Sequence, residues 1–255
     1  MRGLTGKMAI VTGGGGGIGS AVCQRLAEEG VKVAVFDIDE QTALATSAAI
    51  TDAGGTATAF AADITDYQAV TSAVASAQQA LGPVDILVNN AGWDLFKPFV
   101  DTQPEDWERI IAINLVGMLN LHHVVLPAMV ENGGGRVVNV ASDAARVGSS
   151  GESVYAACKG GVVSFSKTLA REHARHGISV NVICPGPTQT TLFQGILDGA
   201  NNPDKLEAAF AKAVPMGRLG QPEDLPGLFA FLASDDAAYI TGQVISVSGG
   251  LTMNG

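Results

Sequence analysis

The sequence predicts a doubly wound α/β fold: a seven-stranded parallel sheet with helices on both faces. Three observations predict it. Apolar runs rich in Val, Ile and Ala recur seven times along the 255 residues, helix-length segments with spaced apolar positions lie between them, and a run of glycines joins the first apolar run to the first helix. Strands covered on both faces need near-continuous apolar sequence, and strict alternation of strand and helix implies right-handed crossovers. No Pro/Gly/Ser-rich linker separates two patterned halves, so 1–255 reads as one domain.

Taken in order, strand 7–13 runs into the glycines and helix 17–29, then strand 31–36, helix 40–53, strand 57–62, helix 66–80 and strand 85–89. Helix 104–131 follows, opened by Pro104 before EDWERI, because proline suits a first helical turn. After strand 136–141 comes helix 153–175, stopped by Gly177 behind the cationic REHARH turn. Strand 178–184, helix 223–233 with Pro222 before EDL, and strand 243–248 complete the pattern. One segment breaks the rhythm: 186–221 interposes mixed loop and short helical pattern at a strand's carboxyl end, the place for a substrate lid.

Composition excludes several classes. With 25 acidic and 15 basic residues the net charge is −10, and no basic run can track a phosphate backbone, so nucleic acid is not expected. The start MRGLTGKMAIVTGG reaches glycines before any signal-like apolar region, and no uninterrupted apolar stretch nears ~18 residues, so a cytoplasmic chain without membrane partner is expected. Cys23, Cys158 and Cys184 are odd in number and scattered, which argues for neither disulfides nor a metal site. His122, His123, His173 and His176 lack ligand spacing and read as helix-surface or interface residues. Charged residues are only 16%, against roughly a quarter in typical chains, which points to much buried surface, either in a central sheet or between subunits.

Thr12 leads into Gly13, Gly14, Gly15, Gly16, Gly17, Ile18 and Gly19, directly between strand and helix. Glycines there allow backbone to approach a pyrophosphate sitting on the helix's partly positive end, so the run reads as a Rossmann-type nucleotide cradle, with a plain flexible turn as the alternative. The second strand ends at Asp37, eighteen residues past Gly19, near the ~20-residue spacing at which a carboxylate takes the adenosine ribose hydroxyls. A carboxylate repels a 2′-phosphate, and Gly16 and Ile38 stand where a welcoming cation would be, so NAD is expected rather than NADP. The alternative is that Asp37 merely caps the next helix.

Tyr155 and Lys159 are four residues apart on a predicted helix, hence on one face. A tyrosine pKa near ~10 makes a poor base until nearby positive charge stabilises the phenolate, and Lys159 with an oxidised nicotinamide can supply it. Ser142 lies thirteen residues earlier at a strand's carboxyl end, where ligands bind in open α/β sheets. Asn114, in IAINLVG, is polar on an apolar helix and can hold a water through its amide, or be a satisfied buried asparagine.

These motifs, with Asn89-Asn90-Ala91-Gly92 after strand four and Pro185-Gly186 after strand six, resemble the short-chain dehydrogenase/reductase family over essentially the whole chain. The resemblance implies that Tyr155 is the acid/base, Ser142 holds the reacting oxygen, Lys159 lowers the tyrosine pKa and holds the nicotinamide ribose, and Asn114 anchors a relay water. It further implies Asp63 and Ile64 at the adenine, Asn90 and Gly92 along the cofactor floor, Thr188 and Thr190 at the carboxamide, and a homotetramer. The family's usual acidic residue before the last Gly-Gly is Ser248 here, which touches subunit packing rather than chemistry. NNAGWDLFKPF, SDAARVGSSGESVYAACKGG and SVSGGLTMNG resemble more narrowly a branch acting on alicyclic hydroxyacyl-CoA thioesters in anaerobic aromatic-ring degradation. On that likeness Trp93, Leu95, Phe96 and Phe193 would wall a ring, and Lys97, Arg146 or Arg218 would meet CoA phosphates. A 3-oxoacyl thioester reductase and a sugar or polyol dehydrogenase are the alternatives, with a non-catalytic NAD-binding regulator further off.

Overall fold

The computed structural model describes residues 1–253; Asn254 and Gly255, which end the SVSGGLTMNG stretch, lie outside the described residues. The strands are β1 (Met8–Thr12), β2 (Lys32–Asp37), β3 (Thr56–Ala61), β4 (Ile86–Asn89), β5 (Gly135–Val140), β6 (Ile178–Pro185) and β7 (Val244–Val247). They form one sheet in the order β3-β2-β1-β4-β5-β6-β7, every pair parallel. The chain leaves β1 toward β2 on one side and reaches β4 on the other, which opens a crevice at the strands' carboxyl ends.

Successive strand residues feed opposite cores. Ala9 and Val11 of β1 pack with Val22, Leu26 and Phe229 on one face, whereas Met8 and Ile10 pack with Val70, Leu121 and Leu169 on the other. The first face is covered by α1 (Gly17–Glu28), α2 (Glu40–Asp52) and, later in the chain, Pro226–Ala233; the second by α3 (Tyr67–Leu81) and the long helices after β4 and β5. Each fully buried large apolar side chain contributes about 1.5–3 kcal/mol.

The helix expected over 104–131 is continuous but not uniform. It consists of α4 (Pro104–Ile111), a π turn at Ala112–Val116 and α5 (Gly117–Glu131). A π turn holds one extra residue, and here it rotates Asn114 toward the loop after β4. By length and composition these 28 residues can cross a bilayer, but Leu121, Val125 and Met129 pack on the sheet. A short α6 (Ala144–Val147) precedes α7 (Ser153–His173).

Segment 186–221 carries α8 (Thr191–Asp198) and α9 (Pro203–Ala213) around its own small core of Phe193, Leu197 and Leu219. A Thr188–Gly220 bridge closes its base. The final helix, α10 (Pro226–Ala233), starts later than the pattern suggests because Pro222–Asp224 forms a separate 3-10 turn with its own capping box.

Candidate active site

The glycine run leaves β1 and turns into α1 with Gly13 at φ 62° and Gly17 at φ 50°, a region that side chains rarely adopt. Gly16 caps α1 with no side-chain hydrogen bond, so its first-turn N–H groups point at the crevice without a side-chain acceptor. The loop is tied down from β4. The Thr12 hydroxyl accepts from the N–H of Asn90 at 3.0 Å and of Ala91 at 3.1 Å, and the Asn90 amide donates to the carbonyls of Thr12 at 3.0 Å and Gly13 at 3.2 Å. This cradle fits a dinucleotide's pyrophosphate.

Asp37 sits at the end of β2 in the same cleft, accepting from the Gly15 N–H at 2.9 Å and the Asp39 N–H at 3.1 Å. Helix capping falls to Asp39 instead, which accepts from Gln41 and Thr42. Asp37 is therefore placed at the nucleotide crevice and is not the cap. Asp63 folds its own turn through Thr65, and Asn120 holds the carbonyl of Ile64 at 2.9 Å, setting both residues in the cleft wall. Gly92, Pro185, Gly186, Thr188 and Thr190 line it too, with Thr190 capping α8 and packing on Gly17. The cleft encloses about 570 Å³.

Ser142, Tyr155 and Lys159 open onto this cleft. Ser142 stands two residues past the end of β5 and its oxygen accepts from the Ala144 N–H at 3.1 Å, which orients the hydroxyl. One helical turn separates Tyr155 from Lys159, whose Nζ lies 5.5 Å from the phenol ring centre. The ammonium is buried and donates to the Val140 carbonyl at 2.9 Å, and burial brings its pKa down to about 8. Lowering of the phenol by Lys159, expected from the sequence, does not hold for the chain by itself. Burial, then the charges of Glu152 and Asp94, push the Tyr155 phenol up, and hydrogen bonding by Ser142 acts in the opposite direction.

Asn114 does not open onto the cleft. It is 2% exposed, and its amide donates to the carbonyls of Trp93 at 2.6 Å and Ile110 at 2.9 Å while its oxygen accepts from the Trp93 N–H at 3.3 Å. Both amide hydrogens are committed to backbone, so the side chain braces the loop after β4.

At the far end of the cleft Trp93 and Phe193 form walls as expected, but Leu95 packs behind, against Tyr155, and Phe96 stands over Gly151. The expected phosphate cations are elsewhere. Arg218 makes a two-pronged ion pair with Asp224 at 2.6 and 2.8 Å, Arg146 donates to Ser246 at 3.0 Å, and neither they nor Lys97 line the cleft. Sequence reading missed Arg109, whose guanidinium lies 4.0 Å over the Trp93 ring at the cleft, and the acids Asp94 and Glu152 near Tyr155. The available signals were position alone: Asp94 follows NNAGW, and Glu152 precedes Tyr155 by three residues.

Comparison with known proteins places this geometry. The sequence model of a family described as enoyl-(acyl carrier protein) reductase matches residues 13–252. A 2-(S)-hydroxypropyl-CoM dehydrogenase of Xanthobacter autotrophicus is 37% identical over 98% of both chains. An acetoacetyl-CoA reductase of Rhizobium meliloti is 39% identical, covering 96% of this chain and 98% of that one. In structure, an actinorhodin polyketide ketoreductase crystallised with NADPH superposes with a TM-score of 0.93 at 33% identity, covering 98% of this chain and 99% of its own. The chain belongs to the short-chain dehydrogenase/reductase family, oxidoreductases that use a nicotinamide cofactor to interconvert secondary alcohols and ketones.

Proposed function

We propose that this protein is an NAD-dependent dehydrogenase that oxidises the ring hydroxyl of 2-hydroxycyclohexane-1-carboxyl-CoA to the 2-keto thioester in anaerobic benzoate and cyclohexanecarboxylate degradation. The observation that carries the reaction type is that Ser142, Tyr155 and Lys159 share one cleft with the glycine cradle. The choice of NAD rests on Asp37 at that cleft, with Gly16 and Ile38 supplying no cation for a 2′-phosphate. The choice of substrate rests on the likeness of NNAGWDLFKPF, SDAARVGSSGESVYAACKGG and SVSGGLTMNG to 2-hydroxycyclohexanecarboxyl-CoA dehydrogenase, and on Trp93 and Phe193 as apolar walls.

In this reading Tyr155 takes the hydroxyl proton and Ser142 holds the oxygen it leaves, a positioned base being worth ~10²–10⁴ in rate. Bound dinucleotide supplies the hydride acceptor. Lys159 holds its ribose, and its positive charge together with that of the bound oxidised nicotinamide would offset the burial that raises the phenol. Asn114 acts as a positioning residue that fixes the Gly92–Trp93 loop. Segment 186–221 forms the lid, with Phe193 reaching down from α8 into the cleft. Arg109, exposed beside Trp93, suits an anionic part of CoA better than Arg146 or Arg218. A homotetramer is consistent with 16% charge and with Ile111 and Val116 exposed on the long helix.

The test is NAD reduction by purified protein with the alicyclic hydroxyacyl-CoA, a linear 3-hydroxyacyl-CoA and a free polyol. A clear preference for the ring thioester is expected, and equal rates on all three would sink the assignment. The acetoacetyl-CoA reductase relative favours a second reading, reduction of a linear 3-oxoacyl thioester, and a preference for the linear compound selects it.

A further inference from the structure

The chain leaves β7 through Ser248-Gly249-Gly250-Leu251 and reverses at once. The Leu251 N–H donates to the Ser248 carbonyl at 3.2 Å, and Gly249 and Gly250 stand at φ 61° and φ 90°, the signs that a mirror-image β-turn demands at both central positions. Side chains are excluded there for a second reason. A Cβ on Gly249 would stand 2.6 Å from the Val214 side chain, and one on Gly250 would stand 3.2 Å from Pro215, both where the lid segment runs back toward the body. The Ser248 hydroxyl oxygen then accepts from the Thr252 N–H at 3.2 Å, which fixes the chain just past the turn.

The turn is wedged between the two ends of the lid. At the entrance, a Cβ on Gly186 would come within 2.8 Å of the Ser248 Cβ; at the exit, the Met216 N–H donates to the Gly249 carbonyl at 3.1 Å. Strands β4, β5 and β6 separate β7 from β1 and its glycine cradle, so the turn belongs to the end of the cleft away from the nucleotide. There Leu251 lines the cleft with Phe193 and Ile196 of α8 and Phe210 of α9. Leu251 is 36% exposed, whereas Thr252 is 7% exposed with its hydroxyl unpartnered among the described residues. Folding by itself favours the reverse, a buried leucine and a hydrated threonine. The turn thus holds an apolar side chain open on the cleft, where an apolar part of a substrate covers it.

We infer that Leu251 is a specificity-determining residue, the wall that limits the size of the substrate's apolar part, and that Ser248 is the positioning residue that holds its turn. The inference takes the alcohol–ketone chemistry of the family as its basis, and the choice of ring compounds as probes rests on the thioester reading above. One methylene more or less in an apolar pocket changes kcat/KM by roughly 10–200-fold, so a wall residue is read in ratios between compounds of graded size.

The experiment measures kcat and KM with NAD for the cyclopentane, cyclohexane and cycloheptane hydroxyacyl-CoA thioesters, for 3-hydroxybutyryl-CoA and 3-hydroxyoctanoyl-CoA, and for a free polyol. Wild type, Leu251→Ala, Leu251→Phe, Ser248→Ala and Ser248→Asp are compared. Whichever thioester series wild type turns over supplies the ratio, so loss of the ring reading and loss of this inference are separate results. Within that series Leu251→Ala should raise kcat/KM for the largest compound over the smallest by roughly tenfold, chiefly through KM, and Leu251→Phe should lower it by a similar factor. Ser248→Ala should move the ratio in the same direction as Leu251→Ala but less far, whereas Ser248→Asp, which keeps an acceptor for the Thr252 N–H, should retain the wild-type ratio. A merely structural turn would lower kcat for every compound alike. An unmoved ratio in both Leu251 variants overturns the inference, as does turnover of the polyol alone by wild type, and equal effects of Ser248→Ala and Ser248→Asp remove Ser248 from its part.

Discussion

The Asn114 amide donates to the Trp93 carbonyl at 2.6 Å and accepts from the Trp93 N–H at 3.3 Å, so one side chain closes a ring with the backbone of one residue. This ring joins the π turn of the long helix to the loop that carries Gly92, Trp93 and Asp94 into or beside the cleft. Asn114→Asp keeps the shape but sets a carboxylate against two carbonyls with no hydrogen to give. About 2–3 kcal/mol of stability should be lost, and turnover should fall by about 10²-fold as the loop shifts. Urea unfolding and an NAD-reduction assay check both, and wild-type stability in this variant would show that the two amide donations contribute nothing.

The Gly19 position is the tightest in the nucleotide cradle. A Cβ there would stand 1.9 Å from the Gly13 carbonyl oxygen and 2.6 Å from the Asn90 amide, whereas a Cβ on Gly16 meets nothing within 4 Å. Gly19→Ala should therefore abolish dinucleotide binding or folding, and Gly16→Ala should change dinucleotide affinity by less than about tenfold. Fluorescence titration with NADH separates the two, and a tolerated Gly19→Ala would mean that the loop yields around an added methyl group.

Such contrasts show where sequence reading reaches and where it stops. The strands were legible because both faces of β1, β2 and β6 are covered, so Val, Ile and Ala run without interruption. Ser142, Tyr155 and Lys159 were legible because strand end and helical spacing fix them locally. Arg109 was not, because the π turn three residues later alters which face α4 presents. Asp94 was not, because its effect on Tyr155 comes from its buried place near the phenol, which no spacing encodes. The pairing of Arg218 with Asp224 was hidden for a different reason: a capping turn at Gln221–Asp224 brings the carboxylate round.

Asp37 offers a direct test of cofactor choice. Replacing it by Ser removes the charge opposed to a 2′-phosphate but also one acceptor of the Gly15 N–H. The expected outcome is a fall in kcat/KM for NAD of about tenfold and a rise for NADP, so that the NAD-to-NADP ratio drops by about 10²-fold or more. Parallel assays with both dinucleotides measure it, and an unmoved ratio would remove Asp37 from the ribose.

His122 should mark the acid side of stability. Its Nδ1 donates to the Met118 carbonyl at 2.7 Å, which leaves Nε2 to accept from the Asn139 amide at 3.3 Å, and burial lowers its pKa to about 4. The unfolded chain takes a proton near pH ~6.5. Between these values the unfolded state binds more protons, so stability falls as pH drops from about 6.5 toward about 4. His122→Gln should flatten this slope by up to ~1.4 kcal/mol per pH unit, read from urea unfolding at three pH values in that window.

Lys159 and Tyr155 should separate stability from turnover. The ammonium is 3% exposed with a single acceptor, and its pKa is down to about 8 because burial disfavours charge. Between about 8 and the unfolded value near ~10.4 the unfolded chain holds more protons, so stability should rise with pH through that window. Lys159→Met fills the same volume without a charge, and it should remove that rise and add about 1–3 kcal/mol at neutral pH. The same change should cut turnover by about 10²-fold or more, since nothing else on α7 brings positive charge to the phenol. Tyr155→Phe gives the complementary result: the raised phenol leaves, stability stays within about 1 kcal/mol, NADH still binds, and turnover vanishes. Substantial activity in Tyr155→Phe would take the proton transfer away from the phenol, whatever the lysine does.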